Sequence, residues 1–198
     1  RAFMARKAKV VRKTTETDIA LEIDLDRPDS GRIDTMIPFF NHMLELFARH
    51  GRFKLTVKGA GDTEIDDHHL VEDLGICLGK ALAQALGDKS QINRYGSASV
   101  PMDESLCRVD VDVSGRPYLV YHVEHERRKI GGFEPALVKE FFKAFTDHSG
   151  VTLHINLVYG GNSHHIIEAV FKAFARALRE AVTINPENKG VLSTKGTL

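Results

Sequence analysis

Two short stretches hold the densest chemistry of this chain: DDHHLVED at Asp66–Asp73 and NSHHIIEA at Asn162–Ala169. Each sets two adjacent histidines three and four residues ahead of a glutamate: His68 and His69 before Glu72, His164 and His165 before Glu168. On a helix, positions three and four apart share a face, whereas neighbours diverge by about 100°, so one pair can serve two different centres. Imidazole with carboxylate is a donor set for Mn, Fe or Zn. One such pair at the start of a helix reads as ordinary polar surface, because a protonated histidine gains nothing there from the helix dipole. Two in register read as ligands of a two-metal, pseudo-twofold site, closed within one chain or across a subunit interface.

The elements that must carry these residues follow from the hydropathy period. Lys7–Thr14 and Thr17–Asp26 read as strands; in the second, Ile19, Leu21, Ile23 and Leu25 alternate with polar residues, as in a half-buried strand. A turn, RPDSGR, and a short strand over 32–36 come next. Pro38 suits the first turn of a helix with Phe39, Met43, Leu46 and Phe47 on one stripe, closed by Gly51. A strand over 53–59 precedes a long helix, His68–Leu86, which buries Leu70, Leu74, Leu78, Leu82 and Ala85. Asp66 or Asp67 caps it and Gly87 stops it.

The second part of the chain repeats this order: strands in YGSASVPM, SLCRVDVDVS and PYLVYHVE, a helix over Pro135–Asp147, a strand VTLHINLVY and a helix over His164–Val182. The two long helices even begin alike, HHLVEDLGICLGKALAQAL against HHIIEAVFKAFARALREAV. This is an internal duplication of about 90 residues, too long for a solenoid repeat. It predicts an α+β fold of two halves, 1–91 and 92–184, each an antiparallel-rich sheet with helices on one face. Residues 185–198 lack any period and read as a tail.

Other residues fall into place around the two pairs. His42, on the helix before the first pair, can supply a further ligand, and its counterpart by repeat is Glu140 in VKEFFKAF. His50 and His148 end their helices, where an imidazole can interact with the dipole. His122, His125 and His154 fall in strands and read as ordinary surface or core residues. The 198 residues carry 27 basic and 27 acidic side chains, so no global charge draws the chain to nucleic acid or a membrane surface. Two cysteines 30 positions apart, Cys77 and Cys107, make no disulfide framework, and a reducing cytoplasm is the expected compartment. No apolar run approaches membrane-spanning length, and the opening Arg-Ala-Phe is given no structural meaning.

ETDI (16–19), PFFNHML (38–44), RHG (49–51), DDHHLVED, INRYG (92–96), SGRPYL (114–119), SHHIIEAVFKAFARAL (163–178) and STKG (193–196) occur in this order along the chain. In these motifs the sequence resembles the imidazoleglycerol-phosphate dehydratases of histidine biosynthesis. The resemblance implies that each half is a four-stranded, mostly antiparallel sheet with two helices on one face. It implies two Mn ions per active site, held by His42, His68, His69, Glu72, His164, His165 and Glu168. The eighth ligand of many members is a histidine at the position of Glu140, where a carboxylate can replace imidazole at Mn. It further implies a homo-oligomeric shell of 24 subunits with active sites at subunit interfaces.

The reaction so implied removes water from the glycerol-phosphate side chain of a small phosphorylated imidazole, leaving imidazole acetol phosphate. The proton to be lost is not next to a carbonyl. A ring held as imidazolate between two cations can expel the adjacent hydroxyl through a diazafulvene-like intermediate, which acidifies the next C–H. Glu16 is the expected general acid and base, with His50 assisting. Arg94, Arg116, Lys172, Ser193 and Lys195 match phosphate-site positions, where arginine can bond bidentately. Lys172 follows the second histidine pair by seven and eight residues, about two turns along one helix face. The histidine pairs alone leave two other readings open: a dimetal hydrolase and a metal-holding shell without catalysis.

Overall fold

The computed structural model describes residues 5–29, 31–126 and 128–198. The opening Arg-Ala-Phe, and Ser30 within the RPDSGR turn, lie outside the described residues. In chain order the elements are β1 (Lys7–Lys13), β2 (Thr17–Asp24), β3 (Ile33–Asp34), α1 (Pro38–Gly51), β4 (Lys54–Gly61) and α2 (His68–Leu86). They continue as β5 (Tyr95–Met102), β6 (Ser105–Asp112), β7 (Tyr118–His122), α3 (Leu137–Ser149), β8 (Thr152–Tyr159) and α4 (Ser163–Val182).

The strands form two four-stranded sheets of one topology, β1-β2-β4-β3 and β5-β6-β8-β7. In each, the first three strands pair antiparallel and the last joins in parallel. The α+β fold is therefore a duplication of two halves. Strand β2 shows why: Ile19, Leu21 and Ile23 are buried while Asp18 faces solvent, the period of two that an amphipathic strand requires.

Two local readings need correction. The strand expected over 32–36 shrinks to Ile33–Asp34, because Thr35 leaves the ladder to bond Asn41 Oδ1 through both its amide and its hydroxyl. Pro38 then opens α1 behind an extended Ile37, as the residue before a proline prefers. Gly51 is the last residue of α1, but Arg52 takes the left-handed cap, with φ 54°. Gly51 is needed for space instead: a Cβ there would stand 2.4 Å from the Phe53 ring.

Helix α2 lies on the first sheet and α4 on the second, while α1 packs against α4 and α3 against α2. The four helices thus fill the space between the sheets, and one apolar cluster runs through both halves. The two crossings are built differently. Between α1 and α4, rings set the spacing: Phe40 meets Phe171 at 5.9 Å and Phe47 meets Phe174 at 5.3 Å. Between α2 and α3, backbones approach closely. A Cβ on Gly75 would stand 2.4 Å from the Phe141 carbonyl oxygen, and one on Gly79 2.6 Å from that of Phe145, so only glycine fits at either place. On α1 the buried stripe is Phe40, Met43, Leu44 and Phe47, with Phe39 and Leu46 at its edge.

Candidate metal centre

The crossing of α1 over α4 brings three of the expected ligands together. Glu168 Oε1 lies 2.9 Å from His42 Nε2 and 3.1 Å from His164 Nε2. One ligand atom from each residue lies within 4.8 Å of the other two. Phe39 supports the His164 ring edge-on at 5.2 Å. Asn162 caps α4, its Oδ1 accepting from the backbone amides of His164 and His165. Glu168 is nearly buried, which would raise its pKa. The hydrogen bonds from Lys172, His42 and His164 outweigh burial and hold the carboxylate at about 2. Two imidazoles and an ionised carboxylate converging at this distance suit a first-row divalent cation.

The other pair is less assembled. His68 Nε2 stands 3.5 Å from Glu72 Oε2, both side chains being half-exposed. At the start of α2 it is Asp66, rather than Asp67, whose side chain bonds the helix, accepting from the His68 amide at 2.8 Å. Glu140, on α3, makes no hydrogen bond or ion pair among the described residues. Nor, among those residues, does any three-donor group join the two HHxxE motifs.

The outer histidine of each pair turns to a carboxylate that the sequence reading missed. His69 Nδ1 is 3.0 Å from Asp62 Oδ2, with Glu16 Oε2 farther away at 3.8 Å. Its hydrogen bond to Asp62 raises its pKa. His165 Nδ1 is 2.7 Å from Glu104 Oε2, and that bond raises its pKa in turn. Glu104 is held at about 2, first by the Asn162 amide and then by His165. One signal for Glu104 was present in the sequence: Glu16-Thr17 opens β2 as Glu104-Ser105 opens β6. Asp62 had no such mark.

His50, in the last turn of α1, lies among cations. Its pKa is lowered by burial, then by Lys172, Arg176 and Arg49. Lys172 Nζ is committed to Glu168 Oε2 at 2.7 Å and also touches Met102 Sδ at 3.2 Å. The remaining expected phosphate residues gather elsewhere. Arg94 binds Asp112 through two nitrogens, at 2.8 and 3.2 Å, and the Leu192 carbonyl at 2.8 Å. Arg116 stands 3.6 Å from the same Asp112. Ser193 and Lys195 follow Leu192 on the tail. Arg94 precedes β5, and its amide donates to Ala181 O at 2.9 Å, nine residues and about 14 Å of helix beyond Lys172, whereas Lys172 Nζ turns the other way, to Glu168 and to Met102 at the far end of β5. Lys172 therefore does not join Arg94, Arg116, Ser193 and Lys195 within one chain.

The tail forms no helix or strand, yet it is anchored. Gln91 N donates to Gly190 O at 2.8 Å, Asn185 N to Gln91 O at 2.7 Å, and Asn188 Nδ2 to Ile92 O at 2.9 Å. Cys77 and Cys107 are free and buried. Among the described residues, no helix is long and apolar enough to cross a membrane.

The family profile described as imidazoleglycerol-phosphate dehydratase matches residues 35–178. The protein named imidazoleglycerol-phosphate dehydratase in Syntrophus aciditrophicus is 66% identical over 197 residues, spanning 99% of this chain and all of the relative. One of the same name in Geobacter metallireducens is 55% identical over 98% of this chain and all of its own. Among solved structures, the Staphylococcus aureus imidazoleglycerol-phosphate dehydratase superposes with a TM-score of 0.82 at 42% identity, over 90% of this chain and 99% of that one. The Pyrococcus furiosus enzyme, solved in complex with (S)-C348, gives 0.83 at 39% identity, over 96% and 100%. By profile, full-length identity and fold alike, the chain belongs to the imidazoleglycerol-phosphate dehydratase family of hydro-lyases.

Proposed function

We propose that the chain dehydrates imidazole glycerol phosphate to imidazole acetol phosphate in histidine biosynthesis, and that the reaction depends on two Mn ions per active site. The observation that carries the metal reading is the convergence of His42, His164 and Glu168 on one point at the α1/α4 crossing. The remaining proposed ligands, His68, His69, Glu72, Glu140 and His165, stand apart from it within one chain. A site that uses all eight donors therefore needs more than one copy, which supports a homo-oligomer with active sites at subunit interfaces; the 24-subunit shell is proposed on the resemblance. Bound metal would supply Lewis-acid withdrawal of electron density from the substrate ring.

The side chains divide the remaining work. Glu16 is half exposed, and its carboxylate accepts no hydrogen bond among the described residues, so it is free to take a proton from substrate carbon or give one to the departing hydroxyl. His50, with its pKa lowered, stays neutral near pH 7 and can accept a hydrogen bond. Arg94, Arg116, Ser193 and Lys195 present cationic and hydroxyl groups to the substrate phosphate at one end of the second sheet. Lys172 turns to Glu168 while Arg94 turns to Leu192 on the tail, which supports a reading in which Lys172 serves an active site other than the one Arg94 serves. The cytoplasm is the proposed compartment.

The test is elemental analysis joined to a dehydration assay after metal is stripped and restored. Ketone formation lost on chelation and recovered with Mn is the expected outcome. Unchanged turnover in fully stripped protein would overturn the metal reading, and hydrolysis of a simple phosphoester without ketone formation would favour the hydrolase.

A further inference from the structure

The two halves place their outer histidines against carboxylates from different positions of the duplicated unit. Glu16 and Glu104 are repeat equivalents, each immediately before the first residue of a matching strand, Thr17 of β2 or Ser105 of β6. Gly61 and Gly160 are also equivalents: a Cβ at Gly61 would face Thr17 and Leu70, and one at Gly160 would face Ser105 and Ile166. The residue after each glycine is then Asp62 in the first half and Gly161 in the second.

Where the first half has Asp62, it is Asp62 that bonds His69 Nδ1, with its two oxygens at 3.0 and 3.2 Å. Where the second half has glycine, the equivalent of Glu16 does the work. Glu104 bonds His165 Nδ1 at 2.7 Å and is itself fixed by the Asn162 amide at 2.8 Å, the Gly161 amide at 3.4 Å and the Ser105 hydroxyl at 3.0 Å. The corresponding hydroxyl in the first half, on Thr17, donates instead to Asp73 at 2.5 Å. Among the described residues the Glu16 carboxylate is left without a hydrogen bond, standing 3.8 Å from His69 Nδ1.

On the metal reading above, we infer that Glu104 and Asp62 are positioning residues that fix the metal-binding histidines His165 and His69 through Nδ1, and that Asp62 releases Glu16 from this duty for proton transfer. A carboxylate acceptor on Nδ1 places the ring proton there and leaves the Nε2 lone pair for the metal. Around His165, the other neighbouring acid is Asp103, with Oδ2 3.8 Å from Nε2, beyond hydrogen-bond reach. Losing such a partner weakens metal binding about 10- to 100-fold.

The test measures Mn affinity and stoichiometry, alongside turnover, in the assembled protein. Glu104→Gln and Asp62→Asn are expected to weaken Mn binding about 10- to 100-fold with folding intact; Glu16→Gln is expected to keep Mn affinity while losing turnover. Nothing lies within 4 Å of a Cβ at Gly161, so Gly161→Asp offers a carboxylate at the place of Asp62. Added to Glu104→Gln, it is expected to recover most of the Mn affinity. Unchanged Mn affinity in Glu104→Gln, equal weakening in Glu16→Gln, or no recovery with Gly161→Asp would overturn the inference. Failure of the unaltered protein to bind Mn or form ketone would instead overturn the proposed function.

Discussion

The two helix crossings share a topology and differ in what their side chains do without metal. At α1/α4, His42 and His164 already bond Glu168. At α2/α3 the equivalent residues are Glu140, His68 and Glu72, and Glu140 joins neither of the others. Glu140 holds the place of His42, and a carboxylate lacks the ring N–H by which an imidazole can bond a neighbouring glutamate. One crossing is a preassembled cluster held by hydrogen bonds; at the other, among the described residues, His68 and Glu72 stand 3.5 Å apart and Glu140 bonds neither. Duplication kept the scaffold while the charge pattern at its two centres diverged.

The largest expected break in this comparison is Glu16→Gln. It is expected to lower kcat about 10²- to 10⁴-fold with no change in Tm, because Glu16 is half exposed and makes no hydrogen bond with its carboxylate; the counterpart Glu104 is expected to report in metal affinity instead. Next comes Glu168→Ala, which removes a proposed ligand and leaves the nearly buried Lys172 without its partner. Mn affinity is expected to fall by more than about 100-fold, and the metal-free chain to lose about 3 kcal/mol in denaturant titration. Glu72→Ala, at a half-exposed side chain, is expected to shift metal-free stability by less than about 0.5 kcal/mol. Equal losses at the two glutamates would erase the distinction between the crossings.

Gly75→Leu tests the backbone contact at α2/α3. It is expected to cost about 2 kcal/mol, read as a lower Tm, with the α1/α4 donors undisturbed. On the proposed two-Mn site, Glu140→His is expected to sharpen the resemblance of the crossings and to raise Mn affinity at α2/α3, as imidazole takes the place of a carboxylate. Acid stability reads the same Glu168 carboxylate in another way. The folded chain holds Glu168 at about 2, against an ordinary 4.5, so the unfolded chain takes up this proton first as pH falls. The stabilisation is fully present above about pH 4.5 and is lost on descent towards pH 2. Denaturant midpoints of the metal-free chain over this range are expected to drop more steeply than those of Glu168→Ala.

Much of this was legible from the residue pattern because the signals were local. Alternation in Thr17–Asp24 marked its strand, and the Gly87 stop marked the end of α2. The matched histidine pairs marked the repeat. Contacts that depend on the crossing of distant elements were not legible. Asp62 reaches His69 only because β4 ends beside the start of α2, and nothing in its neighbours advertises that. Lys172 sits on the helix face of its histidines, as spacing predicted, but its turning away from Arg94 depends on how α4 lies along β5, with Arg94 at Ala181 and Met102 at Lys172. The tail reads as aperiodic and is so, yet it is anchored by backbone bonds to Gln91 and by the side chains of Asn188 and Arg94, contacts that no period of the sequence encodes.

The continuous apolar cluster through all four helices has an evolutionary consequence. A solitary half would have turned the outward sides of its helices to water, phenylalanine rings and glycine notches together. Such an ancestor could persist only by dimerising with a twin, and fusing the two genes would have made that partnership permanent. Once joined, each copy was free to drift in its acids and imidazoles, provided that rings still met rings and notches still met carbonyls.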